Sequence, residues 1–243
     1  MNFAKVLTII CFAIGAVITI WFLMARKDGA NIKALILKSL SSVGFMATAA
    51  VAFAASGMNS GFGLFVLIGL LFGLLGDLWL DLKFIYPAEN DPFTFAGFCV
   101  FAVQHIFLIA GLYIYAADWS CTKGILFAII PLVVGLLAGI LNVLFLEKPM
   151  KLNYGKFKMI TGVYGGILIA MTLIVGALAI YNGFAVAQLN VMFVGAVFFL
   201  ISDLILSGTY FGEGKNRPID VITNHATYYL GQFLIALSLM FLA

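Results

Sequence analysis

The chain has 243 residues, 64% of them hydrophobic and 9% charged, with a mean hydropathy of +1.17 and a formal net charge of +3. That balance excludes an ordinary soluble domain. So small a charge on so apolar a chain also points away from a nucleic-acid partner and toward anionic membrane lipids. Stretches of about 20 apolar residues can cross roughly 30 Å of hydrocarbon as helices, and such stretches fill most of the sequence.

The expected fold is all-α, a polytopic bundle of eight transmembrane helices forming one integral membrane domain over residues 1–243. The first span, near 3–24, lies in MNFAKVLTIICFAIGAVITIWFLMARK. It starts like a signal peptide, but its apolar part is too long and lacks a small-x-small site before the RK pair, which predicts a retained helix. The second span, 33–55, contains Lys38, and the third, 62–82, ends in GLLGDLWLDLK with Asp77 and Asp81. The fourth, 93–115, carries Gln104 and His105, and the fifth, 124–146, closes on Asn142 and Glu147. The sixth, 157–181, contains GVYGG (162–166), the seventh, 187–207, contains Asp203, and the eighth, 225–242, contains His225, Tyr228, Tyr229 and Gln232. Cys11, Cys99 and Cys121 are scattered without metal-ligand spacing and are expected to be packing residues.

Basic residues gather in alternate connections, from Arg26, Lys27 and Lys33 in the first to Lys215 and Arg217 in the seventh. The opposite connections hold only Lys5 and Lys123. Because Lys and Arg are retained on the cytoplasmic side, both termini are expected outside the cytoplasm, in the plasma (inner) membrane if the host is bacterial.

The third and seventh spans echo one another. GLLFGLLGDLWL (69–80) aligns without gaps on GAVFFLISDLIL (195–206), pairing Asp77 with Asp203. The offset of four helices is even, so a duplication would give a parallel four-plus-four repeat. Matches of Leu and Phe are cheap in membrane proteins; the aligned acids are not.

An ionisable residue in a span costs about 2.5–3.5 kcal/mol on insertion scales and usually faces a protein interior or a wet cavity. With the orientation above, Lys38, Asp77, Asp81, His105, Asp203 and Gln232 all fall in the cytoplasmic half or near the middle. Asp77 and Asp81 share one helix face, as do Tyr228 and Gln232, and His225 and Tyr229. Each has an ordinary alternative: Asp81 as an interfacial residue, Asp203 as a helix-end group, His105 as a packing histidine, Tyr228 and Tyr229 as aromatic belt, Lys38 as a snorkelling cation. The glycines of GLLFGLLG and GVYGG are expected to allow close helix contact, and Gly76 to pack or to leave room beside Asp77.

These residues resemble the YhhN family of lysoplasmalogenase-like membrane proteins. The resemblance rests on GDLWLDL, FTFAGFCVFAVQH (93–105), VYGGILIAM (163–171), FFLISDLILS (198–207) and TYYLGQFLIALS (227–238). The chain departs from the family's usual Lys-Pro in the second span, where it has LKSL (37–40), and delays the Tyr after the helix-four His to Tyr113. The resemblance implies eight membrane helices, no metal or other cofactor, and hydrolysis of the vinyl-ether bond of a lysophospholipid of the lysoplasmalogen type. The products would be a fatty aldehyde and glycerophosphoethanolamine or glycerophosphocholine.

A vinyl ether opens by slow proton transfer to its β-carbon, leaving an oxocarbenium ion for water to capture. The chemistry needs an acid, a nearby anion and a positioned water, a division of labour that two carboxyl groups also perform in glycosidases. Asp77 and Asp203 are the candidate pair, with His105 as a third catalytic candidate. Tyr228, Tyr229 and Gln232 are candidates to orient water or the glycerol oxygen, and Lys38 to hold the phosphate or to lower the pKa of one aspartate. Asp81 is expected to support Asp77 or guide a headgroup, and Tyr164, inside the VYGG block, joins the binding set. The competing readings are a transporter of lipid or small solute working through intramembrane acids, a zinc-dependent lipid hydrolase, for which two histidines are few ligands, and a purely structural or lipid-sensing role.

Overall fold

The structure, a computed structural model, describes residues 3–118, 122–214 and 216–242. Cys121, Lys215 and the side chain of Lys123 lie outside the described residues, and Cys11 and Cys99 are half-buried free thiols. The described chain forms eight long helices: α1 (Phe3–Lys27), α2 (Ile32–Ala55), α3 (Gly61–Ile85), α4 (Asn90–Asp118), α5 (Thr122–Leu141), α6 (Lys158–Tyr181), α7 (Ala187–Phe211) and α8 (Pro218–Ser238).

Local chemistry sets several of these boundaries. The Asn31 side chain accepts the Ala34 N–H at 2.8 Å to start α2, and Ser60 Oγ accepts the Gly63 N–H at 3.2 Å to start α3. Pro218 opens α8, where a missing N–H costs nothing, and the Asp220 carboxylate accepts the Arg217 N–H at 3.1 Å across its first turn. A single π turn, Asn142–Leu146, ends α5.

Six helices, α1, α2, α3, α4, α6 and α7, are long and apolar enough to cross a bilayer, the architecture of a multi-pass membrane protein. The other two differ from the expected eight spans for separate reasons. The α8 helix carries Asp220, Asn224, His225 and Gln232, which lower its hydropathy, while the described apolar part of α5 covers only Ile129–Phe145.

Consecutive helices pack as four hairpins, α1 on α2, α3 on α4, α5 on α6 and α7 on α8. The hairpins join through α2–α3, α6–α7, α2–α8 and α4–α6. Glycines set the closest approach: a Cβ on Gly139 would stand 2.2 Å from the Gly166 nitrogen, so α5 and α6 touch backbone to backbone. Gly162 likewise faces Val143, whereas Gly165 faces open space.

One shift along the chain carries α2 onto α6 and α3 onto α7, end to end. The same shift carries the turn after α2 onto the turn after α6. Gly57 and Met58 have φ of 80° and 55°, and Gly183 and Phe184 have 57° and 58°. Both turns close the preceding helix in the same way. Gly57 N–H bonds Ala54 O and Met58 N–H bonds Phe53 O; Gly183 N–H bonds Ile180 O and Phe184 N–H bonds Ala179 O. These are left-handed helix closures, and glycine leads each because it takes positive φ without strain. The hairpin contacts also map: α2 packs on α8 as α6 packs on α4.

Candidate active site

The polar residues of α2, α3 and α8 meet inside the bundle. The Lys38 ammonium lies 2.8 Å from Asp81 Oδ1 and 3.3 Å from Asp77 Oδ1, and all three side chains are buried. Asp77 and Asp81 share a face of α3 because they stand one turn apart, and one lysine from α2 spans both. Ser42, one turn beyond Lys38, donates to Asp77 Oδ2 at 2.6 Å, and Tyr228 of α8 donates to the same oxygen at 2.7 Å. With Oδ2 taking two hydroxyls and Oδ1 facing one ammonium, Asp77 keeps one acceptor direction on Oδ1.

Behind Tyr228 runs a relay of amides. Gln104 Nε2 donates to Gln232 Oε1 at 2.8 Å, and Gln232 Nε2 donates to the Tyr228 hydroxyl at 2.9 Å. Both glutamines are fully buried, and Gly73 makes room for them: a Cβ there would meet both amides at 2.7 Å. Tyr229 donates to the Lys38 carbonyl at 2.9 Å and lies 3.1 Å from Ser42 Oγ, which fixes the α2–α8 contact. Buried ions and amides are tolerable in an apolar bundle only when satisfied in this way.

Asp203 has a different setting. Its carboxylate accepts the Tyr164 hydroxyl of α6, and among the described residues no cation lies within 4 Å of it. The register that carries Asp77 onto Asp203 also carries Lys38 onto Tyr164 and Ser42 onto Leu168. The two aligned acids therefore stand beside unlike residues, Lys38 and Ser42 for Asp77, Tyr164 and Leu168 at the matching positions for Asp203.

Both aspartates line one internal cavity of about 30 Å³, space for about two water molecules. Lys38, Tyr164, Tyr228, Asn224, His225 and the rings of Phe101 and Phe199 complete its walls. Two larger spaces adjoin it. A vestibule of about 450 Å³ is built from the C-terminal ends of α1, α3 and α7 and the N-terminal ends of α4 and α8, and it shares Tyr210, Asn224 and His225 with the cavity. A narrow, mainly apolar groove of about 70 Å³ runs between α5, α6 and α7 and shares Phe98, Tyr164, Asp203 and Leu206 with the cavity. Gly165 faces this groove, which accounts for the open space beside it.

The structure thus brings together Lys38, Asp77, Asp81, Tyr228, Tyr229 and Gln232 in one network and sets Asp203 with Tyr164 across the shared cavity. His105 stands apart from the cavity wall. Its Nδ1 is 2.6 Å from the Phe101 carbonyl, its ring packs edge-on against Phe199 at 4.7 Å, and its Nε2 has no hydrogen-bond partner. The space at Gly76 is filled by the Phe101 ring, which a Cβ would meet at 2.8 Å, so this glycine serves packing.

Sequence reasoning passed over Ser42, Tyr210 and Asn224. Asn224 donates to both the backbone and the hydroxyl oxygen of Ser202, at 2.7 and 3.0 Å, and stands where cavity and vestibule meet. Its spacing offered a signal, since Asn224, Tyr228 and Gln232 form one continuous i, i+4 stripe on α8.

No curated protein and no solved structure matched the chain. A protein-family model did, over residues 33–239, from the start of α2 to the end of α8, and so covers every side chain of the network, both aspartates and the groove. The chain belongs to the YhhN family.

Proposed function

We propose that the protein is a membrane hydrolase that cleaves the vinyl-ether bond of lysoplasmalogens, releasing a fatty aldehyde and glycerophosphoethanolamine or glycerophosphocholine. The observation that carries the reading is the pair of aspartates facing one cavity, one held by Lys38 and the other with no cation within 4 Å among the described residues. Family membership agrees with a hydrolase of this kind.

The unlike partners divide the roles. Asp203, which accepts the Tyr164 hydroxyl and has no cation within 4 Å among the described residues, is the acid that delivers a proton to the β-carbon of the vinyl ether. Asp77, an anion fixed by Lys38, Ser42 and Tyr228, faces the resulting oxocarbenium ion and takes a proton from the attacking water through its free Oδ1 direction. The C–O bond forms and a hemiacetal results. In its collapse the hemiacetal hydroxyl returns a proton to Asp203, while Asp77 protonates the leaving glycerol oxygen. One water is consumed and both carboxyl groups regain their starting states. The apolar groove beside Asp203 suits the alkenyl chain, and the vestibule suits the headgroup.

In the same reading, all eight helices cross the membrane as two parallel four-helix halves, with the vestibule on the cytoplasmic side and both termini opposite. The coincident bounds of α2 with α6 and α3 with α7 support the duplication. The gathering of Arg26, Lys27 and Lys83 at the vestibule supports the orientation. The deciding experiment incubates purified protein with a lysoplasmalogen and, separately, with the matching ester lysolipid. Aldehyde from the first without fatty acid from the second is expected; fatty acid from the ester, or no aldehyde, overturns the reading.

A further inference from the structure

Three cations are buried at the vestibule end of the bundle, Arg26, Lys38 and Lys83, against two equally buried carboxylates, Asp77 and Asp81. Lys38 pairs with Oδ1 of both carboxylates. Arg26 and Lys83 are each 8% exposed, and among the described residues neither has a carboxylate within 4 Å. They nonetheless converge. The Arg26 guanidinium lies 4.4 Å and the Lys83 ammonium 5.1 Å from the centre of the same ring, Phe84, and Lys83 also sits 3.4 Å over Tyr210. Both line the vestibule, which makes the charges accessible from its interior.

Two like charges gathered on one ring repel one another, and the carboxylate nearest to hand in the vestibule wall, Asp81, already pairs with Lys38. The aromatic faces hold the cations in place, and cation–π contact leaves N–H donors free to point into the vestibule. A further donor stands in the same wall: Thr94 of α4 is 4% exposed, and its hydroxyl has no hydrogen-bond partner. Asp81 also reaches the vestibule, with its Oδ1 engaged by Lys38, and so bounds the site on the cavity side. Lys38 itself, wedged between two carboxylates, is spoken for.

We infer that Arg26, Lys83 and Thr94 form an anion subsite that takes the phosphate of a lysophospholipid. A planar guanidinium, an ammonium and a hydroxyl make a donor set matched to phosphate oxygens. The subsite depends on α1 for its arginine, and α1 lies outside the matched residues 33–239. That the phosphate belongs to a lysolipid rests on the reading of the previous subsection; the anion subsite does not.

The test measures binding, so that it stands apart from turnover. Full-length protein in detergent is titrated with three probes: an uncleavable 1-O-alkyl lysophosphocholine, the 1-O-alkylglycerol without phosphate, and inorganic phosphate. The phosphate-bearing lipid is expected to bind at least about tenfold more tightly than the alkylglycerol, as charge-assisted hydrogen bonds to a desolvated anion require. Arg26→Gln and Lys83→Gln should each reduce that preference and the double variant abolish it, while Arg26→Lys and Lys83→Arg keep most of it. Equal binding of the two lipids to the unaltered protein, with no binding of inorganic phosphate, overturns the subsite without recourse to any variant. Preference retained in a folded double variant overturns it as well. Tight binding of inorganic phosphate with no preference between the lipids overturns the lipid assignment. A preserved lipid preference with no aldehyde release would instead remove the proposed chemistry and leave the subsite standing.

Discussion

The Tyr228 hydroxyl donates to Asp77 across 2.7 Å, tying α8 to α3 beside the buried Lys38. A hydrogen bond to a charged group contributes about 1.5–3 kcal/mol. Tyr228→Phe is therefore expected to lower the rate of aldehyde release by roughly 10- to 100-fold while the bundle still assembles. Turnover of the purified variant, together with its elution profile and thermal unfolding in detergent, checks both halves of the expectation.

Removing Lys38 leaves two carboxylates one helical turn apart in a buried network. Breaking such a set by deleting one partner costs about 3–5 kcal/mol. Lys38→Met should unfold at markedly lower temperature than the unaltered protein. Lys38→Met combined with Asp81→Asn should recover part of the loss, because one of the orphaned charges is gone. A double-mutant cycle on thermal unfolding measures the coupling; strictly additive effects would deny the bridge.

The two acids are expected to fail in different ways. Asp203→Asn removes the proton donor and should cut turnover by about 10²–10⁴-fold with lysolipid binding preserved. Asp77→Asn should lose turnover as well, and should also loosen the α2–α3–α8 junction because Lys38 then keeps only Asp81. Single-turnover aldehyde release and binding of the uncleavable ether lipid separate the two.

Gly73 is the place where α3 admits the paired amides of Gln104 and Gln232. An added methyl would lie 2.7 Å from both. Gly73→Ala is expected to destabilise by about 1–3 kcal/mol, the usual consequence of overpacking a fixed core. Gly57→Ala tests something else: nothing stands within 4 Å, and only the positive φ of 80° opposes it. Thermal unfolding of the two variants compares steric with conformational strain.

In the connection after α5, Lys158 and the Tyr154 N–H hold the Glu147 carboxyl below its ordinary value of 4.5. A depressed carboxyl contributes at pH above its unfolded value, and the contribution is lost as pH falls through the folded one. Exchange of the Tyr154 amide proton should be slower in the unaltered protein than in Glu147→Gln at neutral pH. The two should converge as the solution is acidified.

Much of the site was legible because desolvation makes buried acids conspicuous. Asp77 and Asp203 stood out in apolar spans, and both line the same cavity. Ser42 was hidden, since it sits in the run SLSS, where small hydroxyl residues are unremarkable in a membrane helix and only the rotation of α2 selects one of them. Lys38 was visible as a cation, yet its engagement by two aspartates depends on how α2 is placed against α3. His105 was visible as an ionisable residue in an apolar span, but the direction of its ring was not, and that direction sets it against Phe199 and Tyr164. The vestibule left no local trace, because it is assembled from the ends of helices far apart in the chain.

The cavity that holds the two aspartates opens on one side to an apolar groove and on the other to a polar vestibule. Cleavage at that junction would sort its products by phase at the moment they form. The aldehyde, already lying along hydrocarbon, would depart into the bilayer, and the phosphate-bearing glycerol would depart into water. Neither would have to pass the other, and their separation would oppose the back reaction without any moving part.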